Sequence, residues 1–424
     1  MRIAFLTHEP FHPPSGGGSA EAIYLVQEMV RRGHEVHVFC PQIEDAATVA
    51  KRFDIHLHLF TKWAMGRYTA WRNFKYLLYP RELAKLVTTA AETTRFELIV
   101  SQHTISAVAA GRLRARLKVP VVMNFLDFLT GFMETWPAWM APKFVLHRLK
   151  RFEVTLPSRS LADGVMTVSD PLAEIFASAG FPIPRICPIY YGYDAEKFPL
   201  RPSPPPSRGG RREEPLTEQG PNDQSLLTSA ATTGRAPVIV MHGSFDQHHL
   251  GPIAREAMIE THRQRPDVIF KFVGKETATL TKHVTALRES APAIKTETTG
   301  FVPYDQVAQH LATATIGIVP YEESSGTHCA FVAKAVEYLG VGLPVVSTRL
   351  NNLARYFKDE PRLRFSDFNG ASFAGQLLAW LDDPLLVDQA SATSAAARVR
   401  EHLDWRAISR RAVDFLEKTK HEYR

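Results

Sequence analysis

The 424-residue sequence predicts an α/β protein made of two doubly wound domains that face a cleft. Three observations predict it. The chain opens on a β-α-β unit; it continues by alternating short apolar strands with helices; and after an abrupt change of composition at 201–237 a second strand–glycine–helix opening begins at Val238. Strands that alternate with helices form a parallel sheet covered on both faces, and such sheets bind ligands outside the carboxyl ends of their strands.

Arg2 to Thr7 reads as a short buried strand, followed by the loop H-E-P-F-H-P-P-S-G-G-G-S. A helix comes next, in which Ala22, Leu25, Val26, Met29 and Val30 recur at three- and four-residue steps and Arg31, Arg32 and Gly33 close the pattern. A strand at Glu35–Cys40 completes the unit. Further strands are expected at Leu98–Ser101, Val119–Asn124 and Gly164–Val168, which makes residues 1–200 one domain. The segment 201–237 is rich in Pro, Gly, Ser and charge and cannot bury enough surface to offset its ordering entropy, so it reads as a flexible linker or surface insertion. V-I-V-M-H-G, Val238 to Gly243, then opens a second domain over 238–400, with strands expected at Val268–Val273, Lys295–Thr299, Ile316–Val319 and Leu343–Ser347. A final helical segment occupies 401–424.

Hydrophobic residues at 45% and charged residues at 22% allow a sizeable core. The apolar run at the N-terminus is too short for a secretory signal, and no run of about 18 apolar residues occurs, so a cytoplasmic protein is expected. Cys40, Cys187 and Cys329 are far apart and form no CxxC, which argues against a disulfide framework or zinc knuckle. The net charge of +6 suggests an anionic partner: nucleotide, membrane or nucleic acid. No nucleic-acid-binding module accompanies the charge, so a nucleic acid is not expected.

Gly16, Gly17 and Gly18 stand between the first strand and its helix, where backbone N–H groups and the helix dipole suit a phosphate or sugar; the alternative is a plain turn. The dinucleotide fingerprint GxGxxG is not matched. In K-A-V-E-Y-L-G-V-G-L-P-V-V-S-T a single helix is expected, with Thr327 as its N-cap and Gly342 just beyond its end. The preceding loop, with Ser325, Gly326 and Thr327 at the helix start, offers backbone N–H groups to an anion, and Lys334 reaches the same region. Lys334 and Glu337 would otherwise be a surface pair contributing ~0.2–0.5 kcal/mol.

His242, Asp246, His248 and His249 match no zinc spacing, and no DxD motif occurs, so no metal is expected. Lys62 to Arg81 mixes basic and aromatic residues, and Lys143, Arg148, Lys150 and Arg151 follow W-P-A-W-M. Such segments suit an anionic membrane surface; the alternative is core aromatics under a solvated basic face.

S-G-G-G-S-A-E with L-V-Q-E-M-V-R-R-G-H-E-V-H-V-F, V-S-D-P-L-A-E-I-F with I-Y-Y-G-Y-D-A-E-K-F, and F-V-P-Y-D-Q-V-A-Q-H-L-A-T-A-T-I-G-I-V-P with K-A-V-E-Y-L-G-V-G-L-P-V-V-S-T together resemble the family 4 glycosyltransferases. The resemblance implies the GT-B fold, two Rossmann-like domains facing a cleft, and transfer of a sugar from a UDP- or GDP-linked donor to a glycan or lipid-linked acceptor of the cell-envelope or exopolysaccharide type. The donor is a substrate, and neither a further cofactor nor a metal is implied. Carried over by residue, Glu337 would hold the ribose hydroxyls, Lys334 the diphosphate, and Gly16, Gly17, Gly18, Gly243 and Ser325–Thr327 the donor. Asp127 would lie at the cleft as a general base, or else serve as a helix N-cap.

The sequence departs from the family at three points. Cys329 stands where a first glutamate is expected, with Glu322 or Glu323 as substitutes. Leu126 replaces a histidine before Asp127. The Arg and Lys usual after the first strand of the donor domain are missing, which leaves Lys334, the Ser324–His328 backbone and Lys275 for the diphosphate. A nucleotide-sugar epimerase of the same fold and a non-catalytic nucleotide-binding module are the rival expectations.

Overall fold

A computed structural model describes residues 1–14, 17–61, 74–201 and 236–423. Gly16, most of Lys62–Arg81 and nearly all of 201–237 lie outside the described residues.

The N-terminal sheet contains β1 (Arg2–Thr7), β2 (Glu35–Pro41), β3 (His56–Phe60), β4 (Leu98–Gln102), β5 (Val121–Phe125), β6 (Gly164–Thr167) and β7 (Ile186–Pro188) in the order β3-β2-β1-β4-β5-β6-β7. The C-terminal sheet contains β8 (Val238–His242), β9 (Ile269–Val273), β10 (Lys295–Thr298), β11 (Ile316–Val319), β12 (Val345–Thr348) and β13 (Leu363–Ser366) in the order β10-β9-β8-β11-β12-β13. Every paired strand is parallel. In each sheet the order reverses beside the first strand, between β1 and β4 and between β8 and β11. That reversal opens a crevice at the carboxyl ends, the usual ligand position in this architecture.

Most of the strands that sequence reading found are near-continuous apolar runs, such as I-A-F-L in β1, buried on both faces; β10, K-T-E-T at a sheet edge, was found despite its polar residues. β3, β7 and β13 escaped it. β3 reads H-L-H-L-F, β7 is three residues long, and β13 carries Arg364.

The helix expected from Thr327 to Gly342 is in fact two helices, Ser325–Cys329 and Ala333–Gly340. Ser324, rather than Thr327, is the N-cap: its hydroxyl accepts from Thr327 N, and the Thr327 hydroxyl accepts from Ser324 N, a reciprocal capping box. Ala330 is extended, and the freed carbonyls find partners elsewhere, Cys329 O accepting from Ser169 Oγ at 2.5 Å and Ala330 O from Asn352 Nδ2 at 3.2 Å. At the other end Gly342 stands just past the helix in the left-handed region, with Leu343 N bonded to Tyr338 O.

The last helix, Trp405–Glu422, packs on helix Gly17–Arg31 of the N-terminal domain. Arg32 reaches Asp414 at 2.7 Å and Glu417 at 2.9 Å, and Tyr24 stacks on Trp405 with centroids 4.9 Å apart. Among the described residues no helix is long and apolar enough to cross a membrane.

Candidate active site

At the carboxyl end of β8 the chain turns through His242 and Gly243, the latter at φ 101°. His242 is fixed from two sides. Its N–H donates to Tyr338 Oη at 3.1 Å, and its Nε2 lies 2.5 Å from Glu337 Oε2. Glu337 is 3% exposed, and its other oxygen accepts from the hydroxyls of Tyr304 at 3.0 Å and Tyr191 at 3.3 Å. Burial, reinforced by the Glu337 charge, pushes both phenols well above their usual range, so they stay protonated and keep donating. A carboxylate offers about four acceptor directions, and these donors engage three.

Lys334, one helical turn earlier on Ala333–Gly340, is also buried, and its Nζ donates to Tyr321 Oη at 3.0 Å. A Cβ on Gly243 would stand 3.3 Å from this ammonium, so glycine there combines a left-handed backbone with room for Lys334. Lys334 and Glu337 thus serve different partners, the lysine toward the loop after β8 and the glutamate under His242. The alternative of a solvated surface pair does not describe two buried side chains.

Asp246, His248 and His249 follow on that loop. A turn in which Asp246 O accepts from the N–H groups of His249 and Leu250 folds the three together, one ligand atom from each within 4.8 Å of the others, although their spacing matched no metal pattern. His249 Nδ1 accepts from Asp246 N at 3.1 Å. When neutral, the ring therefore carries its proton on Nε2 and presents a donor, the form that meets an anion. Lys275 is exposed just beyond β9.

Across the cleft, Asp127 is exposed in the bend after β5, close enough to Glu21 and Tyr321 for its charge to raise both. Its alternative role as N-cap is taken by another residue. The N–H groups of Leu129 and Thr130, at the start of helix Leu129–Phe132, donate to Glu153, which is 1% exposed and also accepts from the hydroxyls of Thr104 and Thr130. Leu126 is buried. Gly17 and Gly18 form the first turn of helix Gly17–Arg31, at the carboxyl end of β1.

The start of helix Ser325–Cys329 meets the facing domain directly. Ser325 N donates to Glu134 Oε2 at 2.6 Å, while Lys150 pairs with Glu134 and donates to Ser325 Oγ at 3.0 Å. A Cβ on Gly326 would lie 2.3 Å from Phe132 N, so two backbones touch here. Glu322 accepts from Ile253 N at 2.9 Å and so holds the first turn of helix Pro252–Gln264; Glu323 is exposed beside His328. Both line an interdomain opening of about 460 Å³ with Trp136 and Gln247. Cys329 is buried, its thiol pushed up to about 12 by burial, and is inert as a nucleophile.

Sequence reading missed His242, Tyr191, Tyr304 and Tyr321 as partners of Glu337 and Lys334, and Glu134 and Glu153 as cross-braces. Only His242 carried a signal, a histidine just before the glycine that ends a strand.

Residues 16–192 match the family model for the glycosyl transferase 4-like domain, and residues 236–383 match that for glycosyl transferases group 1. Between them the two models take in most of the chain. No curated protein matches it. Among solved structures it is similar to sucrose-phosphate synthase from Thermosynechococcus elongatus, at 14% identity and a TM-score of 0.74 over 98% of each chain. It is also similar to HepE of Anabaena, solved with UDP and glucose, at 17% identity and a TM-score of 0.68 over 98% of this chain and 99% of that one. WaaG, a glycosyltransferase of lipopolysaccharide biosynthesis, follows at 15% identity and a TM-score of 0.61 over 98% and 99%.

Proposed function

The chain belongs to the GT4-like glycosyltransferases of GT-B fold, and from that premise we propose that it moves a sugar from a UDP- or GDP-linked donor to a glycan or lipid-linked acceptor in cell-envelope or exopolysaccharide synthesis. One observation carries the donor half of this reading: a buried carboxylate, Glu337, and a buried ammonium, Lys334, are presented one helical turn apart below the carboxyl end of β8. The ribose hydroxyls would take the open acceptor direction of Glu337 and displace one tyrosine hydroxyl. The diphosphate would lie over Gly243 against Lys334, with the Nε2–H of His249 and the ring of His248 in the place of the missing Arg and Lys. The structures of HepE with UDP and with UDP-glucose support a nucleotide-sugar partner for this fold.

In this reading the leaving group's charge is met by Lys334 and the two histidines, without a metal ion. Asp127, exposed to the cleft, takes the proton of the acceptor hydroxyl. Closure of the two domains excludes water and limits hydrolysis.

The acceptor side also has a surface of its own. Trp139 is 81% exposed and Phe144 69% exposed, and helix Lys143–Arg159 carries Lys143, Arg148 and Arg151 in its first half or so. Exposed aromatics with flanking cations suit an anionic bilayer, so the enzyme would work peripherally at the inner face of a membrane, where a lipid-linked acceptor meets the donor.

Calorimetric titration with UDP and GDP tests the site. Glu337→Gln keeps the volume but removes the charge, and is expected to weaken nucleotide binding by about tenfold or more. Wild-type affinity in both Glu337→Gln and Lys334→Ala would sink the assignment.

A further inference from the structure

The edge of the N-terminal sheet carries a side-chain cluster that the transfer reaction does not use. β2 and β3 run parallel with His37 opposite His56 and Phe39 opposite His58. Side chains alternate between faces along a strand, so Glu35 shares the face of His37, and His58 shares that of His56. The His37 and His56 rings stack with centroids 4.4 Å apart, and His37 is 5% exposed. His37 Nε2 lies 2.9 Å from Glu35 Oε1, and His56 Nε2 lies 3.8 Å from the same oxygen. One ligand atom from each of the three falls within 4.8 Å of the other two.

We propose that Glu35, His37 and His56 form a binding site for a divalent transition metal of the zinc class, remote from the cleft, with His58 as the positioning residue behind His37. A tetrahedral zinc with bonds of about 2.0–2.1 Å places its ligand atoms about 3.3 Å apart. The observed separations of 2.9 Å and 3.8 Å straddle that value, and the exposed His56 ring is free to close the difference. Two imidazoles and one carboxylate are a zinc donor set that leaves a fourth position to water, and imidazole favours zinc, nickel and copper over magnesium and calcium.

His37 Nδ1 meets His58 Nε2 at 3.0 Å. With His37 donating to His58 from Nδ1, its Nε2 lone pair points at the ion, the second contact that fixes a ligating ring. This is where the cluster differs from Asp246, His248 and His249. There a backbone N–H already occupies His249 Nδ1 and forces the proton onto Nε2, whereas His58 is a partner that can accept or donate.

Glu35 opens β2 at its amino end, and the cleft lies at the carboxyl ends, so the ion sits at the far end of the sheet and ties the edge strand β3 to β2. Its role is to stabilise that edge, since an ion bound only by the folded state raises stability by mass action. The proposal is independent of the donor reading.

The full chain, stripped by a chelator and titrated with Zn²⁺ in a calorimeter, is expected to bind one equivalent and to melt at a higher temperature when loaded. His56→Ala and Glu35→Gln alter exposed side chains and leave the core intact; each is expected to weaken uptake at least about tenfold and to abolish the thermal shift. Co²⁺ in place of Zn²⁺ gives the visible bands of a four-coordinate imidazole site in the wild type and loses them in both variants. A wild-type chain that takes up no Zn²⁺ overturns the proposal. So does uptake that persists unchanged in both variants, or that is lost in Asp246→Asn alone.

Discussion

Glu21 illustrates what a single buried residue adds to the reading of this cleft. It follows the glycine loop, is 5% exposed, and accepts from Asn124 Nδ2 at 2.8 Å, while Asn124 Oδ1 is buried without a donor. A protonated Glu21 carries an O–H, the kind of donor that Asn124 Oδ1 lacks. Burial pushes the Glu21 carboxyl up to about 8, with the Asp127 charge adding to it. Because the folded value lies above the unfolded one, this contribution is fully present below the ordinary value of 4.5 and is lost as pH rises through about 8. Unfolding measured from pH 4.5 to 8.5 should therefore show a fall on the order of a few kcal/mol in the wild type that Glu21→Gln flattens, since glutamine keeps an acceptor for Asn124 Nδ2 without ionising. An identical slope in the two proteins would contradict the protonated pair. Glu337 and Lys334 were legible in the sequence because charge on an otherwise apolar helix is conspicuous. Their partners were not, since Tyr191, Tyr304 and His242 come from segments far apart in the chain, and only folding decides which hydroxyl meets which carboxylate.

At the scale of elements, the apolar period over Phe331–Leu339 correctly located the buried helix, and Gly342 its end, but the break before Ala333 was invisible. That break is imposed from outside, by Ser169 and Asn352 binding the carbonyls of Cys329 and Ala330. It turns the start of helix Ser325–Cys329 toward helix Leu129–Phe132, where Gly326 meets Phe132 backbone to backbone and Glu134 takes the Ser325 N–H. Gly326→Ala drives a methyl into that contact. The domains must then separate by a fraction of an ångström, and misplacement of this kind costs on the order of 10²-fold in rate when it disturbs reacting groups. The expected outcome is a fall in kcat of at least about tenfold with a small change in melting temperature, because the strain falls between domains and not within either core. A variant that melts much lower at unchanged kcat would place the strain inside the C-terminal domain instead.

At the scale of the molecule, the two doubly wound sheets were legible because their central strands are continuous apolar runs between helices. Of the edge strands, β10 was found, while β3 and β13, which carry polar residues, and β7, three residues long, were not. Of the two basic-aromatic segments, the described part of Lys62–Arg81 buries Tyr79 against Phe60, as the core-aromatic alternative expects, whereas the second segment exposes Trp139 and Phe144. Co-sedimentation with vesicles should retain the enzyme on anionic lipid at low salt and release it at high salt, with Trp139→Ala and Phe144→Ala together reducing binding at least about tenfold. Equal binding to neutral and anionic vesicles would remove the electrostatic half of that account. The central claim is transfer itself, and turnover tests it most directly: incubate the chain with UDP- and GDP-sugars and a membrane extract, follow nucleoside diphosphate release, and identify products by mass spectrometry with and without chelator. The account predicts release that requires both donor and acceptor, survives chelation, and leaves the sugar on a glycan or lipid. A free altered nucleotide sugar formed without acceptor, or nucleotide binding with no product from any pairing, would contradict it.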